Sequence, residues 1–286
     1  MELDLAADGC PVEGLGFNTG PGVARDGEVD VSIGGVRFAV RQARGASAED
    51  GFSLDMDKVL WEAGAVLAQF LERQCLQPQD AAVPTNLPVL ARAAAERRAG
   101  RPTSLRAIEL GAGCAALPGL ALAALACDEV TLTDISDALP LLRENVRRFS
   151  DAFPPGVGAR VTVAPLDWAS PADLAHAAAG EGYDVVVAAD VAFAEGMVES
   201  FVQAAMACLK PTGVLVLQEG TRSQRLHYKV RSSLGAAQRF ATVVAPSARG
   251  AHARPLDDDT CTLVSRWQCA SDARDARRRL AAAAPP

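Results

Sequence analysis

The chain has 286 residues, of which 49% are hydrophobic and 22% are charged, so its composition excludes an intrinsically disordered protein. Its formal net charge of −7 argues against a general nucleic-acid binder, which usually presents a basic face. Seven scattered cysteines without a C-x-x-C pair, and three separated histidines, support neither a disulfide framework nor a zinc site.

The sequence also gives no sign of membrane association. Its longest apolar stretch is interrupted by Pro118 and Gly119 and is shorter than the ~20 residues that a membrane span needs. The N-terminus is acidic where a targeting peptide would be basic. We therefore expect a monomer that contacts neither nucleic acid nor a membrane. We place it in the cytoplasm and leave the nucleus open as a second compartment.

The first third of the chain predicts a hairpin and two helices. Residues 1–28 show no periodic spacing of apolar residues, which predicts a loose segment. Apolar and polar residues then alternate on both sides of Gly34 and Gly35, which predicts a β-hairpin. Apolar residues spaced by three and four predict a helix from about Asp55, and a second helix is predicted over 86–98. We expect residues 29–104 to pack on the domain that follows.

From residue 105 strands and helices alternate, which predicts an α/β fold with a doubly wound, mostly parallel sheet. This core is assigned to residues 105–270, and residues 271–286 are predicted to be a flexible tail. The predicted strands are 106–110, 129–133, 160–164, 183–189, 213–218, 240–245 and 260–267. The predicted helices are 117–125, 138–149, 172–179, 195–209 and 221–234.

Polar residues follow the predicted strands at their carboxyl ends, where an open parallel sheet binds its ligands. The members of this pattern are Glu109, Gly111 to Gly113, Asp134, Asp167-Trp168, Asp190 and Glu219. Asp134 lies about 20 residues after the glycines, where an acid accepts hydrogen bonds from a ribose. An acid in that place also serves as a helix cap, so both interpretations of Asp134 stay open.

Two cofactors compete for this edge of the sheet. The glycines fit a loose dinucleotide fingerprint, which makes an NAD-linked oxidoreductase an alternative. S-adenosylmethionine fits better, because Glu109 offers an acid for an ammonium group and Asp167-Trp168 offers a carboxylate and an indole for adenine. Pro118-Gly119 is also an unusual start for a helix that should hold a pyrophosphate.

Five stretches of the chain resemble the seven-strand protein lysine methyltransferases, the family-16 methyltransferases of the methyltransferase-like protein twenty-one and twenty-three class. The resembling stretches are Leu60 to Leu67, Glu109 to Gly119, Thr133-Asp134, Leu166 to Trp168 and Ala188 to Phe193. They follow the family's order over residues of about 30 to 268. The resemblance implies a seven-stranded Rossmann-like sheet and an enzyme that transfers a methyl group from S-adenosylmethionine to a protein side chain, with lysine as the expected acceptor.

The resemblance also implies roles for individual residues. Contacts with the cofactor are expected from Trp61, Gly111, Ala112, Gly113, Asp134 through the ribose, Trp168 near the adenine, and Ala189. Glu109 would face the methionine end of the cofactor. Asp190 and Phe193 would lie beside the channel for the methyl acceptor, with Asp190 attracting the ammonium and Phe193 contacting the methylene stem.

The chain departs from the family's pattern at two points. The third glycine of the first motif is replaced within Cys114-Ala115-Ala116, and the tyrosine of the acceptor segment is Phe193. These departures leave open arginine as the acceptor, a small-molecule methyltransferase, and a degenerate fold that only binds.

Overall fold

The computed structural model describes residues 2–4, 27–42, 58, 60–77, 86–153, 160–191, 194–220, 233, 240–245, 260–267 and 270–282. The strands are β1 (Glu2–Asp4), β2 (Gly27–Ile33), β3 (Val36–Gln42), β4 (Arg106–Leu110), β5 (Glu129–Asp134), β6 (Val161–Pro165), β7 (Tyr183–Ala189), β8 (Leu209–Gly220), β9 (Phe240–Ala245) and β10 (Thr260–Trp267). The helices are α1 (Glu62–Leu76), α2 (Pro88–Arg98), α3 (Leu117–Leu125), α4 (Leu139–Ala152), α5 (Pro171–Ala179), α6 (Glu195–Cys208) and α7 (Ala270–Ala282), with a 3₁₀ turn at Ser136–Ala138.

The main sheet has the strand order β6-β5-β4-β7-β8-β10-β9. The first five strands pair in parallel, and β10 runs antiparallel to both β8 and β9. The predicted α/β fold with a doubly wound, mostly parallel sheet is therefore confirmed. Its continuous parallel part contains five strands, and the predicted count of seven is reached only when β10 and β9 are included.

The core lies on both faces of this sheet. Successive side chains of a strand point to opposite faces, so Val185 and Val187 pack with the layer of α1 to α4, whereas Val186 packs with α5 to α7. All three are fully buried. The continuous apolar run of β7 thus reflects a strand that is covered on both sides, as the sequence predicts.

The predicted hairpin is formed by β2 and β3. Gly34 and Gly35 make its turn at φ values of 58° and 78°, a region that residues with a Cβ rarely adopt. Phe38 of β3 packs edge-on against Phe149 of α4, with ring centroids 5.4 Å apart. The hairpin is therefore part of the packed layer that contains α1 to α4.

Several predicted boundaries are wrong. The segment 1–28, predicted to be loose, contains β1, which pairs in parallel with β2, and the start of β2 at Gly27. Helix α1 begins at Glu62, because Trp61 has an extended backbone and is the N-cap residue, so the expected helix does not include Leu60 and Trp61. The fifth predicted strand is longer than expected, since β8 starts at Leu209 directly after α6. The predicted helix at 221–234 lies outside the described residues except for its residue 233.

The flexible tail predicted for residues 271–286 is wrong over residues 271–282, which belong to α7. Ala276 and Arg277 of this helix are buried. The Arg277 guanidinium donates hydrogen bonds to the backbone carbonyls of Ala178, Gly180, Glu181 and Leu209. The buried cation thus satisfies carbonyls at the end of α5 and the start of β8 and fixes α7 to the domain. Among the helices of the described ranges, none is long and apolar enough to cross a membrane.

Candidate functional site

A cavity of about 510 Å³ opens at the carboxyl ends of strands β4 to β7. Its volume falls in the range of small-molecule sites. All eight residues predicted to contact the cofactor line it, and so does Asp190: the set is Trp61, Glu109, Gly111, Ala112, Gly113, Asp134, Trp168, Ala189 and Asp190. Phe193 lies outside the described residues. The structure therefore brings the predicted residues together, while their contacts with a ligand stay a prediction.

The turn after β4 depends on its glycines. Gly111 and Gly113 have φ values of 66° and 55°. A Cβ on Gly111 would lie 2.8 Å from Cγ1 of Val191 and 3.1 Å from Cη2 of Trp168, so a side chain does not fit there. Ala116 ends the turn in the same left-handed region, with a φ of 46°. The run that replaces the family's third glycine therefore completes the turn with a strained alanine.

Asp134 holds this turn in place. Its Oδ2 accepts a hydrogen bond from the backbone N–H of Gly113 at 2.8 Å, and its Oδ1 accepts one from Ile135 at 2.8 Å. The N-cap residue of α4 is Ala138, so Asp134 is not the cap of that helix. The structure thus excludes Asp134 as the N-cap of α4. Its carboxylate holds the glycine turn in addition to any contact with a ligand.

Glu109 is buried beneath the pocket. Its Oε2 accepts a hydrogen bond from the backbone N–H of Gly119 in α3 at 2.7 Å. The pKa of the Glu109 carboxyl is raised to about 8, chiefly because burial disfavours its charged form; the Gly119 N–H opposes this rise and the nearby Asp134 charge adds to it. An ammonium group in the pocket would favour the ionised form of this carboxyl.

Trp168 is held by the turn between β6 and α5. Its ring packs edge-on against Phe201 of α6, with centroids 5.6 Å apart. The backbone N–H of Asp167 donates to Oδ2 of Asp173 at 2.9 Å, and Ser170 caps α5 by accepting from the Asp173 N–H. Within the described part of the chain the buried Nε1 of Trp168 has no hydrogen-bond partner. An indole donor is therefore left unsatisfied at the wall of the pocket.

Another part of the lining comes from the segment before α1. Trp61 is half-buried and extended, with φ −93° and ψ 142°. The preceding residue, Leu60, donates its backbone N–H to Oε1 of Gln42 at 2.8 Å.

Asp190 has a backbone conformation that is unusual for its residue type. Its φ is 55°, and its backbone N–H donates to the carbonyl of Gln218 in the neighbouring strand β8 at 2.8 Å. A left-handed backbone at a residue other than glycine costs free energy and is frequent at functional sites. The fold therefore holds Asp190 at the pocket in a left-handed conformation that is uncommon for residues other than glycine.

The strand-end pattern did not predict the pocket residues of α6. Gly196, Met197 and Ser200 line the cavity from the first two turns of this helix. Ile135 also lines it and leaves 49% of its surface exposed. In the sequence, an apolar residue directly after the strand-end acid Asp134 was the signal that could have identified Ile135.

The charge of the pocket favours a cation. Its described lining contains four acids, Glu109, Asp134, Asp167 and Asp190, and none of the described lining residues is Lys, Arg or His. The Gly119 N–H near the start of α3 is already bonded to a carboxylate, so it is not available to a phosphate. Across the described residues, no group of His, Cys, Asp or Glu is placed to hold a metal ion.

Comparison with protein families decides between the open alternatives. A family model described as lysine methyltransferase matches residues 46–229. The chain belongs to the lysine methyltransferase family. It is an S-adenosylmethionine-dependent protein-lysine methyltransferase, and the NAD-linked alternative is excluded because a nicotinamide dinucleotide has no methyl group to transfer.

The chain is also similar to individual proteins. The chain is 28% identical over 179 residues to protein N-lysine methyltransferase METTL21A of Xenopus tropicalis, covering 63% of this chain and 67% of that protein. Human methyltransferase-like protein 13, solved in complex with SAH, is 18% identical, with a TM-score of 0.40 over 78% of this chain and 90% of its own. A predicted O-methyltransferase of Agrobacterium tumefaciens is 21% identical, with a TM-score of 0.42 over 57% and 74% of the two chains. No conclusion about the substrate follows from structural likenesses this distant.

Proposed function

We propose that the 510 Å³ cavity is the shared site in which this lysine methyltransferase holds S-adenosylmethionine and admits the substrate lysine. One observation carries the proposal. Residues from five separate parts of the chain, around Trp61, Glu109, Asp134, Trp168 and Asp190, line one cavity, and the charged residues of its described lining are all acidic. S-adenosylmethionine carries a sulfonium and an ammonium group and no phosphate, which matches this charge.

The ribose, the adenine and the ammonium group of the cofactor are assigned from the chemistry of the residues that line the cavity. Asp134 is assigned as the acceptor for the ribose hydroxyls, because its carboxylate lines the cavity beside the glycine turn whose Gly113 N–H it accepts. The adenine is assigned to the side of Trp168 and Ile135, where an indole face and an exposed apolar side chain meet the cavity. The ammonium of the methionine part is assigned to Glu109, the acid that becomes easier to ionise when a cation approaches.

The bound cofactor supplies a methyl group on a positively charged sulfur, ready for in-line displacement by a neutral amine. A lysine has an ordinary pKa of ~10.4, so it must lose a proton before it can attack. The Asp190 carboxylate attracts the ammonium of the substrate lysine to the cavity and orients it. The left-handed backbone of Asp190 fixes the direction of its side chain. We assign no separate base, and water accepts the proton.

The proposal is tested by titration calorimetry of the purified chain with S-adenosylhomocysteine and, in parallel, with NAD. Binding of S-adenosylhomocysteine that is lost in Asp134→Ala supports the assignment, and tight binding of NAD alone contradicts it. Radiolabelled methyl transfer into a proteome, followed by mapping of the modified residue, then tests lysine as the acceptor. Modification that maps to arginine, or to small molecules only, would overturn this part.

A further inference from the structure

We propose that the N-terminal hairpin is a positioning element of the cofactor site and acts through Asn145 and Gln42 on two parts of the cavity lining. The inference rests on the proposed function, because it assumes that the cavity holds S-adenosylmethionine. The hairpin, residues 27–42, lies outside the residues 46–229 that the family model matches. We therefore infer the role of the hairpin from the contacts that it makes within this chain.

Asn145 joins the hairpin to the glycine turn. This residue of α4 is only 1% exposed. Its Oδ1 accepts from the backbone N–H of Arg41, and its Nδ2 donates to the carbonyls of Arg41 and Cys114, each at 2.8 Å. The side-chain amide thus pairs with the outer edge of β3 as a neighbouring strand would, and its second donor reaches the turn that lines the pocket.

The Cys114 carbonyl is a sensitive point of that turn. Cys114 directly follows Gly113, whose backbone N–H is held by Asp134. The turn is thus fixed on one side by a carboxylate and on the other by the amide of Asn145. Removing Asn145 takes this donor away from the buried Cys114 carbonyl, so the turn loses one of the hydrogen bonds that fix it.

Gln42 acts on the part of the lining that precedes α1. It is the last residue of β3, and its Oε1 accepts from the backbone N–H of Leu60 at 2.8 Å. The next residue is Trp61, which is extended and lines the pocket. Neither Gln42 nor Asn145 lines the cavity itself, so both act through the residues that they hold.

The hairpin is rigid enough for this task because it is fixed at its turn as well. The backbone N–H of Gly34 donates to Oε1 of Glu72 in α1 at 2.9 Å. Phe38 packs on Phe149, and Phe149 packs on Phe153 with centroids 4.2 Å apart. A displacement of the hairpin therefore disturbs two hydrogen bonds together, the one that the Cys114 carbonyl accepts and the one that the Leu60 N–H donates.

The test measures S-adenosylhomocysteine affinity by calorimetry, with melting temperature as a second readout. Gln42→Leu removes the acceptor for Leu60, and Gln42→Glu keeps an oxygen in the same place. We expect Gln42→Leu to weaken binding roughly tenfold, as the loss of one positioning hydrogen bond does, and Gln42→Glu to restore it. Asn145→Leu is expected to weaken binding at least as much.

Glu144→Gln is the matched control. Glu144 lies next to Asn145 in α4 and pairs with the Arg41 guanidinium at 3.0 Å, yet it does not line the cavity. This variant should bind S-adenosylhomocysteine as the parent chain does. If Asn145→Leu does not fold, the Gln42 pair of variants decides the question by itself.

The experiment distinguishes a failure of the proposed function from a failure of the positioning role of the hairpin. If the parent chain does not bind S-adenosylhomocysteine, the proposed function fails. If the parent binds and Gln42→Leu binds equally well, the hairpin has no positioning role and the inference is wrong. A lower melting temperature with unchanged affinity in the folded fraction would also contradict it, because that is the result of a purely structural contact.

Discussion

The Asp134 carboxylate accepts a hydrogen bond from the backbone N–H of Gly113, 21 positions earlier in the chain, at 2.8 Å. The acid proposed for the ribose therefore also fixes the glycine turn, so one side chain joins the ends of β4 and β5. We expect Asp134→Ala to weaken S-adenosylhomocysteine binding by at least about 30-fold, since the turn and the ligand lose an acceptor together. Calorimetry measures this loss.

The control for Asp134 is Asp137→Ala. Asp137 is an exposed acid in the 3₁₀ turn that follows Asp134 and does not line the cavity. Its removal changes the net charge equally and should leave the affinity within about twofold. Equal losses in the two variants would contradict a specific role for Asp134.

Cofactor affinity should depend on pH through Glu109. Burial raises the pKa of this carboxyl to about 8, so it is mostly protonated at pH 7 in the ligand-free chain. The ammonium group of the ligand favours the ionised form, so binding at pH 7 should release a proton, and affinity should fall as the pH drops below 8. Calorimetry in two buffers of different ionisation enthalpy measures the proton released, and Glu109→Gln should abolish it.

The same carboxyl affects the stability of the ligand-free chain. Its folded-state pKa of about 8 lies above the ordinary 4.5, so its contribution to stability is present below pH 4.5 and is lost as the pH rises through 8. Glu109→Gln should therefore flatten the loss of stability over this range. Glu129→Gln, at an exposed acid paired with Arg106, is the control and should keep the parent profile.

Two pocket glycines should respond differently to alanine. Gly111→Ala places a Cβ 2.8 Å from Val191 at a φ of 66°, and we expect it to cost about 2–4 kcal/mol of unfolding free energy. A Cβ on Gly196 of α6 meets no atom within 4 Å, so Gly196→Ala should be neutral or slightly stabilising. Chemical denaturation measures both, and equal effects would show that the space around Gly111 is not limiting.

Asp190 should matter for methyl transfer rather than for cofactor binding. Asp190→Asn removes the charge and keeps a residue type that tolerates the φ of 55°. We expect methyl transfer into lysate proteins to fall about 10²-fold, because the acceptor ammonium is no longer oriented. Binding of S-adenosylhomocysteine should remain within about twofold, and a parallel loss of both would place Asp190 in the cofactor site instead.

Helix α7 should be required for stability through Arg277. Arg277→Leu leaves four backbone carbonyls without this donor, and we expect a loss of about 2–4 kcal/mol in unfolding free energy. Arg278→Leu, at the adjacent exposed position, is the control and should change stability by less than about 0.5 kcal/mol. Similar melting temperatures for the two variants would contradict the role assigned to Arg277.

The parallel sheet was predictable because its strands are buried on both faces. The apolar run of β7 indicated a strand that is buried on both faces. The acids at the ends of β4 and β5 indicated the edge of the sheet where the pocket lies. α7 was missed because its arginine-rich sequence resembles a solvated tail. The burial of Arg277 depends on carbonyls of α5 and β8 that are distant in the chain.

Contacts between distant residues also explain what was missed at the site. The contribution of α6 to the pocket depends on how that helix packs beside Trp168, which the order of strands does not reveal. Asn145 looks like an ordinary polar residue of an amphipathic helix, and only the fold places it between β3 and the glycine turn. The residues that line the pocket were therefore more predictable than those that hold the lining in place.

The position of β10 has a consequence for biosynthesis. This strand fills the place between β8 and β9, so the 12-residue strand β8 has an open edge until residue 267 has left the ribosome. A nascent chain that stops before β10 already contains every residue assigned to the pocket, and it still exposes unpaired backbone groups along β8. Such a truncated product is prone to aggregate through that edge, whatever its affinity for the methyl donor.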